Sequence, residues 1–192
     1  MTDLLKQLLE LCAGLLGGQM TGQALERAGA GPDAMKASVT TDLDLPTGYD
    51  RDSEEGRQRA AIVARARSHI GRKYKLGAEI KPGQDDADYT DCSEEVEDDY
   101  RAAGKHIPDG SNYQYDFCRP VRHGEAGDLH FLWSDKWGRI GHVMIDSGEG
   151  TVIHALGGVG VCEEPLSKYT SHRRYKGCRR HPDFARPKED RV

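Results

Sequence analysis

Thr90-Asp91-Cys92-Ser93-Glu94-Glu95-Val96 reads as the start of a helix with a cysteine in its first turn. Asp91 is a strong N-cap residue, and Glu94 three positions later completes a capping-box pattern. Cys92 then stands where backbone N–H groups lack intrahelical partners and where the helix dipole favours negative charge. A thiol there is expected to ionise more readily than a free one, and the thiolate is the nucleophile. The competing reading is a buried structural cysteine, the commoner fate of a lone Cys.

Two later runs add histidines to this cysteine. Gly141-His142-Val143-Met144-Ile145-Asp146 and Thr151-Val152-Ile153-His154-Ala155 are separated by Ser147-Gly148-Glu149-Gly150. Short β-branched runs around a Gly-rich turn predict a hairpin. In it His142 and His154 fall on one sheet face as cross-strand neighbours. A helix-start Cys, a His and a second polar group to orient it match the nucleophile–base–orienter logic of thiol hydrolases. Helical patterns early and strand patterns late indicate an α+β chain.

Further motifs follow the same order as in a known family. Arg57 to Ile70 reads as a helix, followed by Gly71-Arg72-Lys73-Tyr74-Lys75-Leu76-Gly77, then Asp91-Cys92-Ser93. Gly104 to Pro108 closes the Cys92 helix, before Ser111 and Gln114. Ala126-Gly127-Asp128-Leu129-His130-Phe131, Gly141-His142-Val143, Val152-Ile153-His154-Ala155 and Tyr175-Lys176-Gly177-Cys178-Arg179-Arg180 complete the series. From residue 57 to 182 this set resembles the NlpC family of papain-like cell-wall cysteine peptidases. The resemblance implies a papain-like α+β fold with the nucleophile Cys92 at the N-terminus of a packed helix. It implies His142 as general base and His154 as the group that orients its ring. Tyr74, Asp91 and Ser93 would line the pocket that reads the peptide, and backbone N–H groups near Cys92 would meet the oxyanion. The implied reaction is amide hydrolysis through a thioester, without cofactor or metal. The implied substrate is a peptidoglycan stem peptide, cut between D-glutamate and the diamino acid.

The sequence departs from the family where Gly and an apolar residue usually follow Asp-Cys-Ser. Glu94 and Glu95 stand there instead, followed by Glu97, Asp98 and Asp99. One reading is an acidic pocket for a cationic substrate group. The other, favoured because charge runs are usually solvated faces, is a more exposed helix. Carboxylates in the first turn suit the helix dipole but also raise a nearby thiol by like-charge repulsion. The departure keeps open a non-catalytic structural or wall-binding module on the same scaffold. An amidase or acyl-transfer activity on another amide is a third reading.

The remaining sequence sets bounds. At 192 residues the chain has room for one core and an appendage. A net charge of −5 gives no general drive toward nucleic acid. The basic run at 173–180 is read as the closing strand with its charges on the wet face. Five cysteines leave one unpaired under any full pairing, consistent with a free thiol. Cys162, His172, Cys178 and His181 offer zinc-type ligands, but without the close Cys pair of a zinc ribbon. His106 and His123 are expected in solvated turns, and His130 either toward the site or at the surface.

Residues 1–17 read as an amphipathic helix closed by Gly17-Gly18, and 18–53 as a linker or arm. The peptidase-like domain is expected over 54–183 and a charged tail over 184–192. The N-terminal helix is too interrupted by Lys6, Gln7 and Glu10 to span a membrane, and no signal peptide is recognised in it. The expectation is a wall hydrolase made in the cytoplasm and delivered by lysis, a phage tail or a secretion particle, on which this helix docks.

Overall fold

The computed structural model describes residues 52–185. The expected N-terminal helix, its docking on a larger assembly, the arm up to residue 51 and the tail beyond 185 lie outside the described residues. Among the described residues, no helix is long and apolar enough to cross a membrane.

The domain opens with α1 (Glu54–Ser68), whose N-cap Ser53 accepts a hydrogen bond from the Gly56 N–H at 3.0 Å. Its buried positions Arg59, Ile62, Val63 and Ala66 recur at helical spacing and form one face. A short parallel pair follows, β1 (Lys73–Tyr74) with β2 (Tyr89–Thr90). Next come α2 (Cys92–Ala102), α3 (Ser111–Phe117) and β3 (Arg119–Val121). The remaining strands are β4 (Leu129–Ser134), β5 (Arg139–Asp146), β6 (Thr151–Leu156), β7 (Gly160–Pro165) and β8 (Tyr175–Arg180), with α4 (Ser167–Thr170) before β8. Strands β3 to β8 form one antiparallel sheet in the order β3-β8-β4-β5-β6-β7. This is the expected α+β arrangement. The main core joins Ile62, Val63 and Ala66 of α1, Val96 and Tyr100 of α2, and Leu129, Phe131, Val143, Ile145 and Ile153 of the sheet. A smaller cluster joins Met144 and Val152, from the alternate residues of β5 and β6 on the other sheet face, to Tyr169 of α4.

The acidic run of α2 is not a solvated face. Glu94, Glu95, Asp98 and Asp99 are all at most 5% exposed. Their partners come mainly from outside the helix. The Nδ1 of His69 bonds Glu95 at 2.7 Å and lies 3.3 Å from Asp99. Arg65 reaches Asp98 at 3.0 Å, Arg72 lies 3.5 Å from Glu95, and Arg101 bonds Asp98 at 3.2 Å. Glu94 accepts the Ile80 N–H at 3.0 Å. A carboxylate can be buried only when paired and hydrogen-bonded, and α1 with the segment after it supplies the pairing. The reading as an exposed helix fails because the helix alone does not show where those cations fold.

A second buried ion cluster ties α1 to the sheet. Asp128 receives Arg59 at 3.0 Å and a two-pronged contact from Arg180, at 3.0 and 2.7 Å. Arg180 is therefore buried rather than on the wet face of the closing strand. Phe184, expected to begin a loose tail, is also buried, with the Arg59 guanidinium 4.2 Å from its ring centre.

Burial alone would draw the His69 imidazole down, but hydrogen bonds and charge from Asp99 and Glu95 outweigh it and lift it to about 9. The folded protein thus holds this proton more tightly than the unfolded chain does. The stabilisation is complete below the ordinary histidine range and is lost as pH rises through about 9. Burial also raises Glu94 to about 7, which adds a loss with rising pH across the slightly acid range. The urea midpoint of the wild type is expected to fall between about pH 6 and about pH 9.5. His69→Gln, which strands buried carboxylates, is expected to cost about 3 kcal/mol at the lower pH and to flatten that fall. Parallel pH profiles for the two proteins would remove His69 as the cause.

Candidate active site

Asp91 fixes the start of α2 and the segment that faces it. Its Oδ1 accepts the N–H groups of Ser93 and Glu94 at 3.0 and 3.1 Å and the Ser93 hydroxyl at 2.9 Å. Its Oδ2 accepts the Gly77 N–H at 2.8 Å, holding the stretch after Tyr74 against the helix start. Cys92 follows in the first turn, 7% exposed. The backbone N–H groups of Val143, Cys92 and Ser93 favour the charged form of its sulfur. Val143 follows His142 on β5, so the thiol faces the strand that carries this histidine.

The sheet opens at this point. Pairing between β5 and β6 is confined to Ile145–Ile153 and Asp146–Val152. Extended, that register sets His142 and His154 on one face, as expected, in a diagonal relation. They still meet, the Nε2 of His142 lying 2.8 Å from the Nδ1 of His154. Beyond His154 the chain of contacts continues into Glu164 and Tyr169, which the sequence did not mark, and Cys162, which it marked only for zinc. The His154 Nε2 lies 3.3 Å from Glu164, 3.2 Å from the Tyr169 hydroxyl and 3.8 Å from the Cys162 sulfur. Tyr169 donates to Glu164, and Lys168 is also bonded to that carboxylate. The available signal was register, since β7 pairs Cys162 with His154 and puts Glu164 two residues on, on the same face.

This chain fixes the tautomers. Burial pushes Glu164 up, but hydrogen bonds from Lys168, Tyr169 and His154 hold it at about 2, so it is an acceptor. His154 must then carry its proton on Nε2. Burial lowers His154, which stays neutral and offers Nδ1 as an acceptor. His142 therefore donates from Nε2. Burial, with His154 beside it, draws His142 down to about 3, so its Nδ1 bears a bare lone pair.

Burial and the neighbouring Asp91 push the Cys92 thiol up to about 12, against the lowering effect of the backbone N–H groups. The expectation of an easily ionised thiol therefore fails for the empty site: the helix start is present, but burial outweighs it.

A cavity of about 410 Å³ opens on Cys92. Tyr74, Asp91 and Ser93 line it, together with Tyr113, Trp137 and Arg139, which the sequence reading passed over. Burial, with Cys92 and Asp91 nearby, raises Tyr74 to about 12, so its hydroxyl remains a donor. Gly141 is required at the wall. A Cβ there would fall 2.4 Å from the Ser134 Cβ and 2.9 Å from the Trp137 ring. Glu94 and Glu95 do not line the cavity. The acidic-pocket reading therefore fails together with the exposed-helix one. The four residues weighed for zinc do not converge either: Cys162 sits by His154, Cys178 by His130, and the Nε2 of His181 bonds the His106 carbonyl.

The model of the NlpC/P60 family matches residues 71–180, and the chain belongs to that family. A curated relative from Corynebacterium glutamicum (strain R), named probable endopeptidase, is 34% identical over 130 residues, 67% of this chain and 55% of its own. The chain spans about half the length of the curated relatives it matches. A solved NlpC/P60 family protein from Bacillus cereus ATCC 10987 superposes with a TM-score of 0.56 at 25% identity, covering 72% of this chain and 42% of that one. The NlpC/p60 domain of the peptidoglycan hydrolase SagA gives 0.51 at 28% identity, covering 64% and 97%. The fold is thus the papain-like one of this family.

A neutral thiol beside a neutral imidazole has a distinct signature. The rate of Cys92 alkylation by iodoacetamide is expected to climb about tenfold per pH unit between about pH 7 and 9, because the thiolate is the reactive form. A flat rate from about pH 5 to 8 would instead mark a preformed thiolate–imidazolium pair.

Proposed function

We propose that this domain is a thiol endopeptidase of peptidoglycan, cutting an amide bond of the stem peptide. The observation that carries the reading is the ordered proton path from Glu164 through His154 and His142, which ends at a bare Nδ1 on the strand that the Cys92 thiol faces. As the thiol attacks the substrate carbonyl, its proton passes to that Nδ1. The imidazolium so formed is stabilised through His154 by the Glu164 carboxylate, and it then protonates the leaving amine. The N–H groups of Cys92 and Ser93, which favour a charged sulfur in the empty site, turn to the developing oxyanion. Water then attacks the thioester with the same imidazole as base. In this reading Cys92 is the nucleophile, His142 the base and His154 the group that orients it, and the contact between the two histidines supports those roles.

The cavity chemistry suits a short, charged peptide. Asp91 and Arg139 give it one carboxylate and one guanidinium, and Tyr74 and Ser93 add neutral donors. A stem peptide carries free carboxylates and an amine at spacings a cavity of this size spans, which favours the bond between D-glutamate and the diamino acid. The glutamates that kept a non-catalytic module in view turn away from the cavity into ion pairs with His69, Arg72 and Arg101.

Incubation of the wild type with purified peptidoglycan, with mass spectrometry of the products, is expected to release stem-peptide fragments that Cys92→Ala does not. Equal products from both proteins, or none from either on several wall chemotypes, would overturn the proposal. On a defined stem peptide, Glu164→Gln is expected to lower kcat about tenfold with KM unchanged, the size of effect usual for a group that orients a functional imidazole. An unaltered kcat would take Glu164 out of the path.

A further inference from the structure

We propose that His130, Asp146 and Cys178 form a zinc site on the sheet face turned away from α1 and α2. The three residues come from β4, the end of β5 and β8, and one donor atom from each lies within 4.8 Å of the other two. All three side chains are buried. Imidazole nitrogen, carboxylate oxygen and thiolate sulfur are a donor set that zinc takes.

Gly124 leaves the space for the ion. A Cβ built on it would lie 2.3 Å from the Asp146 Oδ2, 3.1 Å from the Cys178 sulfur and 3.2 Å from the His130 Nε2. The three donor atoms thus converge on one small volume that a side chain at 124 would fill. The volume opens onto a cavity of about 290 Å³ with the exposed His123 on its rim, so an ion has a way in and either His123 or water to complete four ligands.

The outer contacts fit as well. The Tyr175 hydroxyl lies 2.7 Å from the His130 Nδ1, and the Gly148 N–H bonds the Asp146 Oδ1 at 2.7 Å. These orient the ring and the carboxylate through the atoms a metal does not use. Without metal, His130 Nε2 and Asp146 Oδ2 bond each other at 2.8 Å. On binding, the single His130 proton moves from Nε2 to Nδ1, where it is donated to Tyr175; zinc takes the freed Nε2 and the Asp146 carboxylate, and Cys178 loses its thiol proton to solvent. A hydroxyl serves equally as donor or acceptor, so Tyr175 need not move. The bound ion would clamp the loop at 122–124 to β4, β5 and β8, four residues along β5 from His142.

The test uses the full chain, stripped of metal, titrated with Zn²⁺ and separately with Co²⁺ as a spectroscopic probe. One equivalent is expected to bind, with a thiolate-to-cobalt absorption band. Cys178→Ser is expected to abolish the band and weaken Zn²⁺ about 100-fold. Gly124→Ala, which leaves all three donors in place, is expected to do the same by occupying the volume and guards against a Cys178 variant that does not fold. Cys162→Ser removes the other cysteine near histidine and carboxylate groups and is expected to bind as the wild type does. A wild type with no thiolate band would overturn the site. So would a band lost in Cys162→Ser and kept in Cys178→Ser, which would put the metal beside His154.

Discussion

The four buried carboxylates of α2 constrain everything around Cys92. An unpaired buried charge costs several kcal/mol, so the helix can pack only where cations meet Glu95 and Asp98, while burial pushes Asp99 up toward its neutral form. His69, at the C-cap of α1, and Arg65, inside its last turn, supply two of them, and Arg72 a third. The angle and register of α1 against α2 are therefore set by charge as well as by Ile62, Val63 and Val96. Apolar packing alone tolerates small slides of one helix on another. A ring nitrogen 2.7 Å from one carboxylate and 3.3 Å from a second does not. The chain replaces the family's usual small and apolar residues with a more directional lock on the helix that carries the nucleophile.

That lock matters because the site is assembled from parts that do not otherwise touch. Asp91 caps α2 and tethers Gly77, which brings Tyr74 to the cavity. The separation of β5 from β6 past Ile145 lets the Val143 N–H serve the Cys92 sulfur. The same separation lets His142 and His154 bond each other across a diagonal. Asp128, between Arg59 and Arg180, holds α1 to the first residue turns of β4 and to β8, so the two halves of the site share one rigid frame.

Much of this was legible in the chain. The Asp91 cap, the helix of Cys92 and the two histidine strands follow from local patterns of one to two turns or one strand, and the structure places Tyr74, Asp91, Cys92 and Ser93 on one cavity. What stayed hidden depends on partners far along the chain. Glu95 meets a histidine 26 residues earlier, Arg180 an aspartate 52 residues earlier, and a charge run looks solvated until those partners are placed. Glu164 and Tyr169 carry no motif of their own. They join the site only through the register of β7 on β6, which a local pattern does not encode. Phe184 was hidden for a similar reason, since a lone aromatic among charges reads as tail until Arg59 is seen beneath it.

The protonation state of the resting site follows from a comparison of magnitudes. A helix start favours a nearby negative charge by about 0.3–1 kcal/mol at exposed positions and about 2 in buried ones. Moving a charge out of water costs several kcal/mol even after relaxation. At Cys92 the second term is larger, and Asp91 next to it adds repulsion, so the thiol keeps its proton. The same burial keeps His142 neutral. A neutral pair is less exposed to oxidation than a standing thiolate, because susceptibility follows thiolate character. The charge separation is then deferred to the moment when a substrate carbonyl is at hand to accept the sulfur's electrons and the Glu164 end of the chain can balance the imidazolium.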